Sequence, residues 1–319
     1  MQNLDKFKNK RIFISGGAGI IGKHLVQMLI ENNAKILVGD IKKCPKIFLG
    51  KVKYFKKDLN FLKEKELRKF KPEIFIHLAA TYERTVETKE FFNNNFHNNI
   101  RLSNHLLSIV SKIKSVKKII FASSYLVYSS DLYLSKKSKK PYKLKENSKI
   151  NPRNLIGASK LYHENELKFL SNFRPDLSII SARIFRGYGL GSRDIVSRWV
   201  RDLIKKKTIS IYGMNSSFDF IYCKDTAKSI LKMINIKHKF KILNIGFGKS
   251  VKISEILKIL KFEFKNMKTK KIIETKEYEN SFSDNGYLKN NMKLNLRYDI
   301  KKGIKEIIEY EKKKSKYSN

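Results

Sequence analysis

The chain has 319 residues, 41% of them hydrophobic, enough to bury the core of one large domain or two smaller ones. Its 69 lysines and arginines against 29 acidic residues leave a formal net charge of +40, but no basic helix or aromatic-basic stripe concentrates that excess, which argues against a nucleic-acid partner. No apolar run approaches the roughly 20 residues needed to cross a bilayer, and the two distant cysteines, Cys44 and Cys223, offer neither a disulfide framework nor a metal spacing.

These features, with a charged first segment that lacks a signal-peptide core, lead to the expectation of a cytoplasmic protein with no membrane partner and no metal. Residues 11–15 (RIFIS) predict a strand and residues 20–30 a helix. Residues 35–40 (KILVGD) predict a second strand, and 52–55 a short third. Residues 74–79 (IFIHLA) and 118–122 (KIIFA) are near-continuous apolar runs, the pattern of parallel strands covered on both faces. Helical segments between these runs predict βαβ units. A helix is expected from about residue 154 and a strand at 177–184. Beyond residue 186 the pattern loosens into a helix at 195–205, strand-like pieces at 209–212 and 218–222, a buried strand at 240–245 and a last helix at 304–313. The Lys/Ser-rich stretch 134–145 reads as a mobile surface loop.

Residues 15–22 read Ser-Gly-Gly-Ala-Gly-Ile-Ile-Gly, directly after a strand and at the start of a helix. Glycine there permits a tight turn, close approach of backbone to a pyrophosphate, and close packing of helix on strand. The helix N-terminus adds N–H groups and a positive dipole end. Gly16, Gly19, Ile20, Ile21 and Gly22 are therefore candidate dinucleotide contacts. Asp40 ends the next strand, where a carboxylate accepts ribose hydroxyls and repels a 2′-phosphate, favouring NAD. Lys42 and Lys43 follow it and leave NADP open. The expected architecture is α/β: a Rossmann-like doubly wound parallel sheet with a small C-terminal α/β substrate domain. The expected boundaries are 1–185 with 215–250 for the dinucleotide half, and 186–214 with 251–319 for the substrate half.

Further strings carry a resemblance to the extended short-chain dehydrogenase/reductase family of nucleotide-sugar epimerases, dehydratases and reductases. Besides the glycine turn they are Asp58-Leu59, His77-Leu78-Ala79-Ala80, Asn99-Ile100, the run Ser123-Ser124-Tyr125-Leu126-Val127-Tyr128, residues 183–189 (RIFRGYG), residues 218–222 (FDFIY) and Asn244-Ile245-Gly246. The resemblance implies that Asp58 and Leu59 meet the adenine, that Leu78, Ala79, Ala80 and Ser123 line the cofactor, and that Asn99 supports the active site. It also implies that Ser124 is the catalytic serine, that Lys160 holds the nicotinamide ribose, and that Tyr125 borders the substrate. The C-terminal segment would close over a nucleoside-diphosphate sugar, and the protein would be a homodimer.

The sequence departs from that family at its centre. The family pairs a tyrosine with a lysine four residues on, one helical face, so that the ammonium stabilises a phenolate. Lys160 is present, but Ile156 stands in the tyrosine's place. Tyr133 with Lys137, and Tyr310 with Lys314, repeat the spacing formally, in a polar loop and a charged tail. Candidates for the missing acid/base are Ser124, Tyr125, Tyr128, His163 and a water held by Lys160. Arg186 stands where the family often has Asn, and Phe218 where it often has Arg. Arg186, with Arg193 and Arg198, is thus a candidate clamp for a diphosphate; otherwise Arg198 and Arg201 belong to a solvated helix face. Tyr125 and Leu126 replace the acidic pair of the family's dehydratases, so dehydration is disfavoured. The leading reading is an NAD-dependent epimerase or dehydrogenase of sugar nucleotides. The alternatives are a catalytically weakened binding module of the same fold and, on charge alone, an RNA-binding protein.

Overall fold

The computed structural model describes residues 7–81, 88–136, 140–271 and 277–316. Seven strands form one sheet: β1 (Arg11–Ser15), β2 (Lys35–Asp40), β3 (Lys53–Lys56), β4 (Ile74–His77), β5 (Lys118–Ser124), β6 (Ser178–Ile184) and β7 (Phe240–Ile245). Their order is β7-β6-β5-β4-β1-β2-β3. Pairing is parallel from β3 through β2, β1 and β4 to β5, with Ile12 opposite Ile36 on one side and Ile74 on the other. The apolar runs form strands here because both faces are covered: Ile12, Phe13, Ile14, Ile119, Ile120 and Phe121 are fully buried.

The covering helices include α1 (Ile20–Glu31), α2 (Glu64–Phe70), α3 (Lys89–Asn95), α4 (Leu102–Ser111) and α5 (Leu155–Phe173). Helices α3 and α4 run into one another through a π-helical turn, Phe96–Arg101. Asn154 starts α5 by accepting the Gly157 N–H at 2.9 Å, an N-cap bond that satisfies a first-turn donor. One core joins Phe13, Phe75 and Phe121 of the sheet to Leu106, Val110 and Leu167 of the helices. Phe13 stacks on Phe75 at 5.1 Å between ring centroids, and Phe75 on His77 at 5.5 Å.

The chain divides into two compact units. The first comprises Met1–Tyr128, Ile150–Arg183 and Ala227–Leu243; the second comprises Ser129–Lys149, Ile184–Thr226 and Asn244–Asn319. Segments 129–149, 184–185, 215–226 and 244–250, expected in the dinucleotide half, thus group with the second unit. Local pairing explains this. Leu134–Ser135 pairs with Tyr278–Glu279, Tyr142–Leu144 with Ser281–Ser283, and Ser217–Phe218 with Val251–Lys252. The same pairings correct the expectation of a mobile loop at 134–145: Leu144 is fully buried, and only residues 137–139 of that stretch lie outside the described residues.

Buried Asp219 organises the second unit. Its carboxylate accepts the N–H groups of Phe247, Gly248 and Ser283 and the Ser283 hydroxyl, at 2.6–2.9 Å. Helices Ile195–Ile204 and Ile300–Lys316 pack on one another. The last helix begins four residues before the expected start, with Asp299 accepting the Lys302 N–H at 2.8 Å.

Candidate active site

In the first unit the strand order reverses between β1 and β4, and at such a switch point the carboxyl ends of the strands leave a crevice for ligand. The glycine turn lies there. Gly16 has φ +76°, and a Cβ on it would sit 2.6 Å from the Ala79 nitrogen. A Cβ on Gly22 would lie 2.5 Å from the Gly16 carbonyl oxygen, so glycine is what lets α1 approach β1. Gly19 is the N-cap of α1 and no side chain caps it, so the first-turn N–H groups of Ile20, Ile21 and Gly22 have no intrahelical acceptor. Leu78 donates its N–H to the Ser15 carbonyl at 3.0 Å, which continues the strand edge into Ala79 and exposed Ala80. This is a cradle that a side chain would fill and a pyrophosphate fits.

Asp40 closes the turn. One oxygen accepts the Ala18 N–H and the other the Lys42 N–H, both at 2.9 Å. Lys42 and Lys43 are themselves exposed. Asp58 accepts the N–H and side-chain amide of Asn60 at 2.9 and 3.0 Å and meets the His97 Nε2 at 2.9 Å. Burial opposes its charge, but the Asn60 and His97 hydrogen bonds outweigh burial and hold its carboxyl below the usual carboxylate range. Leu59 is buried behind it, against Gly39. His97, on the π-helical turn, is a partner that no motif announced.

At the end of β5, Ser123 and Ser124 face different tasks. Ser123 donates its hydroxyl inward to Glu164 at 2.6 Å, so it supports the site through its buried partner. Ser124 is half-buried and accepts the Leu126 N–H at 3.2 Å, which leaves its O–H as a donor. Tyr125 is buried beside it. Glu164 also accepts the Ser181 hydroxyl at 3.0 Å and the Nε and Nη2 edge of Arg183 at 3.0 and 2.7 Å. The Arg183 guanidinium lies 4.7 Å over the ring of fully buried Tyr128. This hub of Glu164 and Arg183 was missed from sequence; a buried carboxylate four residues after Lys160 on the same helical face was the available signal.

Lys160 is buried, with its Nζ 4.7 Å over the Phe121 ring. Among the described residues no oxygen accepts a hydrogen bond from that Nζ. Burial pulls its pKa down to about 8, with the Glu164 carboxylate opposing the shift. Ile156, one turn earlier on α5, is buried too. Both ring nitrogens of His163 are engaged within the protein: Nδ1 meets Glu166 at 2.7 Å and Nε2 the Asn99 carbonyl at 3.1 Å. Asn99 in turn holds Thr81 through both backbone groups at 2.9 Å, fixing the chain just beyond β4. His77 bridges the hydroxyls of Ser15 and Ser103 at 2.6 and 2.9 Å. Burial, then the charges of Lys160 and His163, keep its imidazole well below the ordinary 6.5. Of the formal tyrosine-lysine pairs, Tyr133 is buried in the second unit while Lys137 lies outside the described residues, and Tyr310 is exposed on the last helix.

In the second unit the two departures noted from sequence touch each other. Arg186 opens a short strand, Arg186–Tyr188, paired in parallel with Phe220–Tyr222. Its guanidinium stacks 3.7 Å over the Phe218 ring and meets buried Glu279 at 3.2 Å. Arg193 and Arg198 are exposed around the start of helix Ile195–Ile204. Arg201 corrects the reading of a solvated face: it pairs with buried Glu311 at 3.3 Å.

Comparison with known proteins agrees with this geometry. The model of the NAD dependent epimerase/dehydratase family matches residues 12–246. A Methanocaldococcus jannaschii protein named "Putative UDP-glucose 4-epimerase" is 31% identical over 264 residues, covering 79% of this chain and 82% of its own. The Dictyostelium discoideum UDP-glucose 4-epimerase is 26% identical over 295 residues, with 79% and 80% covered. Among solved structures, the Bacillus cereus UDP-glucuronic acid 4-epimerase in complex with UDP-glucuronic acid and NAD superposes with a TM-score of 0.83 at 22% identity, covering 95% of this chain and 99% of that one. The chain belongs to the NAD-dependent epimerase/dehydratase family. It is an α/β enzyme of that family, and NAD is the cofactor that its glycine turn and Asp40 fit.

Proposed function

We propose that the protein oxidises, and in epimerisation re-reduces, a hydroxyl-bearing carbon of a nucleoside-diphosphate sugar. The observation that carries this reading is the switch-point turn, where Gly16 lies against Ala79 and Asp40 is locked by the turn's own N–H groups. The relatives named as UDP-sugar epimerases support the substrate class. When bound, NAD supplies the hydride acceptor. The residues of the chain do the rest. The N–H groups at Ile20, Ile21 and Gly22 hold the pyrophosphate, Asp40 the adenosine ribose, and Asp58 with Leu59 the adenine. Ser124 donates a hydrogen bond to the reacting oxygen, and Tyr125 borders it. Arg186, pre-oriented by Phe218 and Glu279, takes the diphosphate through its guanidinium, and Arg193 adds charge nearby. Of these residues, Arg186 and Arg193 belong to the second unit, and Ser124, Tyr125 and the dinucleotide contacts belong to the first.

A homodimer fits the same reading. Phe92 and Phe96, and Tyr162, Phe169 and Phe173 on α5, are exposed, an apolar set that a second copy would cover. Among the described residues no helix is long and apolar enough to cross a membrane, and Cys44 and Cys223 are free thiols, in keeping with the cytoplasm. The test is to incubate the purified protein, checked for NAD released on denaturation, with a panel of nucleotide sugars and to follow the sugar by NMR. Inversion or oxidation of one sugar is expected. Ile156 favours a second reading, a weakened binding module; tight binding of a sugar nucleotide with no change in any sugar would decide for it.

A further inference from the structure

Removing the family's tyrosine leaves a reaction that still moves a proton, and the structure narrows which group moves it. Ile156 has no proton to exchange. His163 has both ring nitrogens engaged, by Glu166 and by the Asn99 carbonyl. His77 has both engaged, by Ser15 and Ser103. Tyr128 is fully buried beneath the Arg183 guanidinium. Ser123 is committed to Glu164. Lys160 differs from all of these: it is more than nine-tenths buried, yet no acceptor among the described residues meets its Nζ.

We propose that Lys160 is itself the proton-transfer group, doing directly what its family assigns to a tyrosine that it assists. The proposal rests on the substrate reading above and adds the identity of the acid/base. The surroundings suit a neutral amine. Nζ faces the Phe121 ring from β5. The carboxylate near it, Glu164 on its own helix, is already paired with Arg183. His77 on β4 is held uncharged, by burial first. Burial brings the ammonium to about 8, near the working pH that a general base needs. Burial costs an ammonium far more than it costs a neutral amine.

The step balances as follows. The sugar O–H bond breaks and its proton binds the Lys160 amine. The C–H bond at the same carbon breaks with its electron pair, which passes as hydride to NAD+, leaving a carbonyl, NADH and the Lys160 ammonium. On return of the hydride the ammonium gives the proton back to the oxygen.

Two measurements test this. In protein labelled with 13Cε-lysine, the Lys160 resonance, assigned by its loss in Lys160→Arg, should titrate with a midpoint at about 8; a midpoint at the ordinary 10.5 would overturn the proposal. In turnover, kcat/KM should rise with pH to a plateau above that midpoint. Lys160→Arg keeps charge and donors but holds its proton, so it should lower kcat about 10²–10⁴-fold with NAD affinity retained. Wild-type turnover in that variant would sink the idea. If Lys160→Arg fails to bind NAD, Lys160→Ala decides: recovery of turnover with added primary amines supports the proposal, and no recovery overturns it. A midpoint at about 8 with no turnover on any nucleotide sugar supports the lysine's state and counts against the substrate reading alone.

Discussion

At the scale of single residues, the candidate site is underpinned by a buried charge pair. Glu164 and Arg183 are each almost wholly buried and satisfy one another through two hydrogen bonds. Removing one partner strands the other in a low-dielectric interior. Glu164→Gln and Arg183→Met should each cost about 3–5 kcal/mol of stability, read as a lower urea midpoint. The double variant should cost less than the sum; simple additivity would mean that the pair is not coupled. Arg186 is a residue-scale case of another kind, since it is half-exposed and oriented rather than buried. Arg186→Ala should weaken sugar-nucleotide affinity by roughly 10–100-fold through loss of charge-assisted hydrogen bonds, with NAD affinity unchanged. Phe218→Ala, which removes only the stacking platform, should cost roughly 2–5-fold. Titration calorimetry separates the two, and equal losses would refute the division of labour.

At the scale of elements, two close approaches set the geometry. The first is α1 against β1 and β4 at Gly16. Gly16→Ala combines a left-handed φ with a Cβ 2.6 Å from the backbone of Ala79, so NAD binding should be lost while the remaining sheet still forms. The second is the start of α5 against the turn Tyr125–Val127, where a Cβ on Gly157 would collide with the Leu126 carbonyl. Ser124 and Lys160 are positioned by those two elements. Gly157→Ala should therefore lower kcat far more than it changes NAD affinity, and an unaltered kcat would show that the approach is not needed. The π-helical turn Phe96–Arg101 belongs to this scale too. It places His97 on Asp58 and turns the Asn99 side chain toward Thr81, two contacts that a regular helix between α3 and α4 would set in another register.

At the scale of the whole molecule, pH response sums groups from several elements. Lys160 and Lys118 are both held at about 8 by burial, against an ordinary 10.5. Between those values the unfolded chain binds more protons than the folded one, so stability should rise with pH through that window. Tyr188 and Tyr222 are pushed above their ordinary 10.0 by burial first, so the unfolded chain loses their protons earlier and stability should fall above that point. His77 acts at the acid side. Its folded value lies well below 6.5, so the unfolded chain gains a proton first as pH drops, and stability should decline below 6.5. Urea midpoints should therefore rise with pH above about 8 and fall again above about 10, where the buried Cys223 thiol and the two tyrosines keep protons that the unfolded chain has lost. A maximum at pH 6 to 7 would contradict the buried, neutral-favouring sites assigned to both lysines.

Much of this was legible before any coordinates. Short apolar runs rich in Ile, Val and Phe, without alternation and bounded by turn or polar residues, fit buried strands; β1, β2 and β7 begin and end where the runs do. The glycine spacing and Asp40 specify a dinucleotide turn, because only glycine tolerates those backbone approaches. The absence of a hydroxyl at Ile156 is likewise a fact of sequence. What pairs across distance was not legible. The ownership of 129–149 by the second unit, the contact of Arg186 with Phe218, the Glu164 hub and the engagement of the His163 Nε2 depend on residues from about 20 to about 145 positions apart. Local periodicity reports which face of an element is apolar, but it does not report which polar group that face will meet. Charge partners, and with them the protonation of Lys160, are decided only when the fold has chosen what to bury.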